Sequence, residues 1–501
     1  MARALMICGT GSESGKSVLV TALCRLLARR GIRVAPFKAQ NMALNSGVTP
    51  EGGEMGRAQI VQAEAAGIPP HVDMNPVLLK PVGEHGSQVV VHGKVIGTMD
   101  AATYYATKQT LWNAVTESYA RLSRNYDVIV LEGAGSPVEM NLKHTDIVNM
   151  AMAEYADAAV VLVADIDRGG VFASIIGTLE LLTPHERRRI VGFIINKFRG
   201  DMSLFHDGLR FITTRTGKPV FGMVPYIKDL AIPGEDSVAL DRAALYTCDG
   251  NGLLKVGIIR LPHIANYTDF DPLFADPRFA PHYVMSPHQI TWCDICIIPG
   301  SKHVAADLLY LQKRGFSTAL SHYHQRGGRI VGICGGYQIL GHEIKDPHRV
   351  ESEINIVTGL GLLDVTTTMH TEKTTQPVRC SIQLPGTQQC CDVTGYEIHM
   401  GITVPKKGAT VAFLTPDPGA QHVAGVARPD GTVWGTYVHG LFEHDGLRDA
   451  FFQWGRGGRT VQEHAGTFSY RQFKEQQYNS LADIVDRHVA VDRILKYVIA
   501  V

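Results

Sequence analysis

The sequence predicts an α/β protein made of two doubly wound domains, each around a mainly parallel sheet. Three observations predict it. Short β-branched runs alternate with amphipathic helical stretches. Most of the runs are apolar throughout rather than alternating, as strands covered on both faces are. The alternation stops near Pro233 and restarts near Leu253.

Taken in order, "RALMIC" is the first strand and runs into a glycine-rich loop. The helix "SVLVTALCRLLARRG" follows, with Gly31 as its stop. "RVAPFK", "DVIVLEG", "AAVVLVAD", "IVGFIINK" and "KPVFGMVP" read as further buried strands. They complete a first domain over 1–233, and 234–252 reads as a linker. "KVGIIRLP", "CDICIIPG", "RIVGICGG" and "TVWGTYVHG" then build a second domain over 253–444. The segment 445–501 reads as mostly helical. No internal repeat or low-complexity segment is visible.

Bulk composition narrows the function classes. A chain of 501 residues holds two to four domains at roughly 100–200 residues each. Lys+Arg and Asp+Glu balance at 48 each, which argues against a nucleic-acid or anionic-membrane surface, since both need a basic excess. The longest apolar runs, such as "AAVVLVADI", are strand-length, well short of the ~20 residues that span a bilayer. The nine cysteines have no regular spacing. The N-terminus enters the glycine loop with no apolar leader region. Both features lead to the expectation of a cytoplasmic protein.

The glycine loop reads G-T-G-S-E-S-G-K-S, from Gly9 through Thr10, Gly11, Ser12, Glu13, Ser14, Gly15 and Lys16 to Ser17. It is one residue longer than the ordinary phosphate loop, but it follows a strand and opens a helix, as that motif must. Its backbone N–H groups suit the phosphates of ATP. Lys16 suits the terminal phosphates and the Ser17 hydroxyl suits Mg²⁺. Glu132 ends the strand in "VIVLEGAGSP", where a carboxylate faces the phosphates and can hold Mg²⁺. The bland alternatives are a helix-capping Glu132 and a chance Gly-Lys-Ser turn. The extended loop resembles that of the dethiobiotin synthetase family, which phosphorylates a carboxylate or carbamate. That resemblance implies Glu54 in "GGEMGRAQ" as a further metal ligand, and Asn196 and Lys197 in "IINKFRGD" as contacts to the base. A solvated Glu54 is the alternative.

"GICGG" places Cys334 between a strand and a helix, with glycines on either side. A nucleophile elbow needs such small neighbours. The Gly335 N–H is one candidate oxyanion donor, and Gly300 and Ser301 in "PGSKH" offer another. His439, at the end of the strand in "WGTYVHGLFE", is the candidate base. The alternative for Cys334 is a buried structural thiol. The segment resembles the class I glutamine amidotransferases, with one departure. Where that class carries a carboxylate two residues after the histidine, this chain has Leu441, and Glu443 is the nearest acid. The third member is therefore missing or comes from elsewhere, and the pattern resembles the cobalamin-pathway branch of the class, which keeps only Cys and His.

An ATP site and a glutaminase in one chain read together as amidation of a carboxylate. Phosphorylation makes the carboxylate oxygen a leaving group, and glutamine supplies the ammonia. The segments "PFKAQNMALNS", "MNPVLLKP", "LEGAGSPVEMNL", "ADIDRGGVFA", "GICGGYQILG", "GLGLLDV" and "GYEIHMG" span nearly the whole chain and resemble the cobyric acid synthase family. The acidic "GPDYIDP"-like loop of the sibling a,c-diamide synthases is absent. The resemblance implies amidation of four peripheral carboxylates (b, d, e and g) of adenosylcobyrinic acid a,c-diamide, with glutamine and a corrinoid as small-molecule substrates. A homo-oligomer stays open.

For the acceptor, Lys38, Gln40 and Asn41 lie at one strand's C-terminal end, where α/β sheets bind ligands. Asp165, Asp167 and Arg168 repeat that position on another strand, as acceptor or Mg²⁺ contacts, or as a helix cap. Cys293-x-x-Cys296 has no second ligand pair for zinc. Two rivals remain at this point: another ATP-dependent amidase such as the diamide synthase, and a regulatory P-loop ATPase with an inactive amidotransferase-like module.

Overall fold

The computed structural model describes residues 2–82, 86–228, 230–233, 253–406, 414–416, 425–457 and 468–498. The expected linker 234–252 lies outside the described residues. The chain forms two compact units. The first comprises the chain up to Ala43, Gly53–Glu235 and everything from Lys474 on; the second comprises Leu44–Gly52 and Asp236–Phe473. The segment 445–501 is expected as one helical segment. The structure divides it: the helix Asp445–Arg456 belongs to the second unit and the chain from Lys474 to the first.

In the first unit, six strands lie in the order Val220–Pro225, Ile190–Phe198, Ala159–Asp165, Arg3–Gly9, Val128–Glu132, Val34–Phe37. Every neighbouring pair is parallel. Leu5 and Ile7 pack into the core that holds helix Lys16–Arg29. Ala4, Met6 and Cys8 enter the core of the other face. Covering on both faces is why the interiors of these strands are apolar, with polar residues such as Arg3, Glu132 and Asp165 at their ends. Leu481, Val485, Ile494 and Val498 complete the first of these cores. Later strands are added on both sides of Arg3–Gly9, so its C-terminal end is a switch point of the sheet, where such folds bind ligands. A smaller sheet, Gln40–Met42, Val77–Val82, Gly86–Val91 and Lys94–Asp100, is attached to this unit.

The second unit repeats the plan. Its strands run Phe279–Val284, Leu254–Ile259, Ile295–Ile298, Arg329–Ile333, Val433–Thr436, Gly425–Ala427, with only the last pair antiparallel. Both observed sheets bear out the expected fold class. The second unit also contains a long antiparallel ribbon, Val365–Gln383 against Cys390–Pro405. All cysteines among the described residues are free. No described helix is long and apolar enough to cross a membrane.

Candidate active sites

In the first unit, strand Arg3–Gly9 ends in the phosphate loop and helix Lys16–Arg29 begins directly after it. Two of the loop's glycines are sterically required. A Cβ on Gly9 would sit 2.2 Å from the Ser14 hydroxyl, and one on Gly15 would sit 2.1 Å from the Asn196 amide. Gly15 also has φ 93°, a left-handed backbone that side chains avoid. The Lys16 ammonium donates to the carbonyls of Gly11 and Gly135, each at 3.1 Å. It thus lies between the loop and the segment after Glu132.

Glu132 is almost wholly buried and accepts three hydrogen bonds: from Ser17 Oγ at 2.9 Å, Lys38 Nζ at 2.8 Å and Gln62 Nε2 at 2.6 Å. The structure thus joins Ser17, Lys38 and Glu132, three residues singled out from separate segments. Gln62 was not foreseen. It lies on helix Arg57–Ala66, whose polar residues turn inward, and no motif marks it. Glu54 is not solvated; its carboxylate accepts from Lys80 at 2.7 Å, and both side chains are buried.

The other expected contacts are tied to the loop or to one another. Asn196 donates to the Ser14 carbonyl at 2.9 Å, and Lys197 to the Glu13 carbonyl at 2.6 Å. Lys197 also pairs with Asp165 at 2.8 Å. Arg168 pairs with Glu13, and Asp167 with Arg199 at 2.6 Å. Asn41 donates to Gln59 at 2.9 Å, and Gln40 accepts from the Tyr104 hydroxyl. No group of three or more His, Cys, Asp or Glu among the described residues is arranged to hold a metal ion, Cys293 and Cys296 included.

In the second unit, Cys334 sits between strand Arg329–Ile333 and helix Gly335–Leu340. Its backbone is at φ 50°, ψ −109°, a strained conformation typical of elbows that hold a nucleophile. The crowding explains the glycines. A Cβ on Gly336 would lie 1.9 Å from the Ile298 carbonyl oxygen, and one on Gly335 would lie 2.8 Å from the Ser301 nitrogen. The Pro299–Ser301 loop is therefore pressed against the elbow, where Gly335 and Ser301 N–H groups can share one oxyanion. A Cβ on Gly300 would fall within 4 Å of both Cys334 and His439, so Cys334, Gly335, Gly300, Ser301 and His439 occupy one place.

His439 is buried, and its ring has partners on three sides. Nδ1 lies 2.6 Å from Asp269 Oδ2. Nε2 lies 3.4 Å from the Asn266 amide nitrogen. The Tyr396 ring stacks on the imidazole at 5.2 Å. Burial by itself pushes the imidazole's pKa down; the Asp269 carboxylate and Cys334 outweigh it and raise the pKa to about 10. Leu441 is core, and Glu443 lies in the turn Leu441–Glu443. Asp269, Asn266 and Tyr396 escaped the sequence reading. Tyr396 falls in the quoted segment "GYEIHMG" but had no role there.

Family profiles match both halves of the chain. One, described as the CobQ/CobB/MinD/ParA nucleotide binding domain, matches residues 5–238. The other, described as the CobB/CobQ-like glutamine amidotransferase domain, matches residues 255–447. Among curated proteins, a cobyric acid synthase of Syntrophobacter fumaroxidans is 50% identical over 507 residues, covering 99% of each chain. One from Yersinia enterocolitica is 50% identical, covering 98% of this chain and 97% of its own. One from Moorella thermoacetica is 46% identical, covering 99% and 97%.

Proposed function

The chain belongs to the cobyric acid synthase family, and from that premise we propose that it converts a cobyrinic acid a,c-diamide to cobyric acid, using ATP and glutamine to amidate four further carboxylates. The observation that carries this reading is that both halves of the reaction have a built site in one chain: a phosphate loop with Lys16, Ser17 and Glu132, and a strained Cys334 beside a buried His439.

In the first unit the acceptor carboxylate attacks the γ-phosphorus of ATP, ADP leaves, and an acyl phosphate forms. Lys16 and the loop N–H groups stabilise the charge on the transferring group. Ser17 and Glu132 set two hard oxygens 2.9 Å apart at the loop, which fits Mg²⁺, an ion that takes few protein ligands when it also binds phosphates. Its contribution is to neutralise phosphate charge. Glu54 is a further candidate ligand. Asn196 and Lys197 donate to the Ser14 and Glu13 carbonyls of the loop and are the candidate contacts to the base. Lys38, Gln40 and Asn41, and across the sheet Asp165, Asp167 and Arg168, are the candidate acceptor contacts.

In the second unit the Cys334 thiolate attacks the glutamine side-chain amide. Gly335 and the Gly300–Ser301 loop hold the oxyanion, and His439 returns the proton to the departing ammonia. Water then releases glutamate from the thioester. Ammonia displaces phosphate from the acyl phosphate and leaves the amide. We place this reaction in the cytoplasm. The test is stoichiometry: with ATP, Mg²⁺, glutamine and the corrin diamide, one ADP and one glutamate should appear per amide formed. Sustained ADP release unaffected by the corrin would refute the reading in favour of a regulatory ATPase.

A further inference from the structure

We propose that Asp269 is the positioning carboxylate of the glutaminase site, acting on Cys334 through His439. The inference rests on the glutaminase reading above and names a residue to which that reading gives no part.

The geometry is that of a fixed orienter. Asp269 spends both oxygens on one target: Oδ2 meets His439 Nδ1 at 2.6 Å, and Oδ1 accepts from the Gly440 N–H at 3.0 Å. The carboxylate thus grips the ring and the backbone beside it, and it cannot rotate without losing one of them. Asp269 is itself buried, on the turn Tyr267–Phe270, whose Tyr267 and Phe270 side chains are core. The residues just before this turn anchor the oxyanion loop. Ala265 N donates to Gly300 O at 2.9 Å, and Ile264 bridges to Ser301. The six residues from Ile264 to Asp269 therefore set the distance between base and oxyanion donors.

The chemistry follows from the tautomer. A carboxylate on Nδ1 keeps the proton there and leaves Nε2 to face the thiol. The thiol proton moves to Nε2, the thiolate carbon–sulfur bond forms as the amide carbonyl opens, and the imidazolium gives its proton to the nitrogen as the C–N bond breaks. Asp269 holds the ring in place through these steps, and its carboxylate beside Nδ1 stabilises the imidazolium. The charged or titratable groups facing His439 are Asp269 from its turn, Cys334 from the elbow and Tyr396 from the ribbon.

The experiment compares wild type with Asp269→Asn. Glutamine-dependent turnover should fall about a hundredfold or more, chiefly in kcat. Ammonium-driven amidation should stay, which also reports folding. Alkylation of Cys334 by iodoacetamide at neutral pH should slow by about tenfold in Asp269→Asn, because the imidazole that draws off the thiol proton is no longer oriented. Asp269→Glu should recover part of both the turnover and the alkylation rate. A folded Asp269→Asn protein with wild-type kcat and an unchanged alkylation rate would overturn the proposal. If Asp269→Asn fails to fold, Asp269→Ser is read by the same two measurements, and wild-type values in that folded variant would equally overturn it. A wild-type protein that hydrolyses no glutamine would instead defeat the glutaminase reading itself.

Discussion

In the proposed function Cys334 and Lys16 divide the chemistry between them, and single substitutions test that division. Cys334→Ser should abolish glutamine-dependent amidation and spare the reaction with high ammonium, because free ammonia bypasses the thioester. Equal loss with both nitrogen sources in a folded protein would contradict this. Lys16→Ala should reduce turnover from either source by about a hundredfold or more, since its charge acts where phosphoryl charge develops. The check is initial rate at saturating ATP. Both residues were legible in the sequence because their motifs pack glycines around one reactive side chain. Asp269 was not legible, because 170 residues separate it from His439. "NYTDF" reads as an ordinary turn, and nothing local distinguishes its acid from a cap. Gln62 and Lys80 were hidden for a related reason. A polar residue on a helix or strand shows its importance only once its buried partner, Glu132 or Glu54, is known.

At the scale of elements, the phosphate loop depends on backbone shape as much as on its lysine. Gly15→Ala would need a left-handed φ of 93° from an alanine and would drive its Cβ into Asn196 at 2.1 Å. We expect loss of ATP-dependent amidation by about tenfold or more with either nitrogen source, with glutamine hydrolysis retained; isothermal titration with a non-hydrolysable ATP analogue should show the weakened loop directly. The parallel strands were readable because burial on both faces makes them apolar without interruption. The ribbon Val365–Gln383 was not, because "VTTTMHTEKTTQPVRCSIQ" is rich in threonine and charge and only part of it is buried. The strand Lys94–Asp100 is largely exposed and carries no apolar pattern at all. Tyr396, delivered to His439 by the ribbon's second strand, was unreadable for the same reason.

For the whole molecule, the central claim is that one chain joins an ATP-driven acyl activation to a glutaminase and applies both repeatedly to one large acceptor. A substrate with several carboxylates favours a rim of amides with a few cations over an acidic pocket. Of the candidate acceptor contacts, the half-buried Gln40 has that character; Lys38 and Asn41 are buried against Glu132 and Gln59. The net charge of the chain is zero, so any attraction for a polyanion must be local. The most direct measurement is mass spectrometry of the corrin a,c-diamide during incubation with ATP, Mg²⁺ and glutamine. Successive one-amide steps that end at four additions are expected. No change in the diamide, with cobyrinic acid itself amidated at two carboxylates only, would contradict the claim and assign the chain to the diamide-forming reaction.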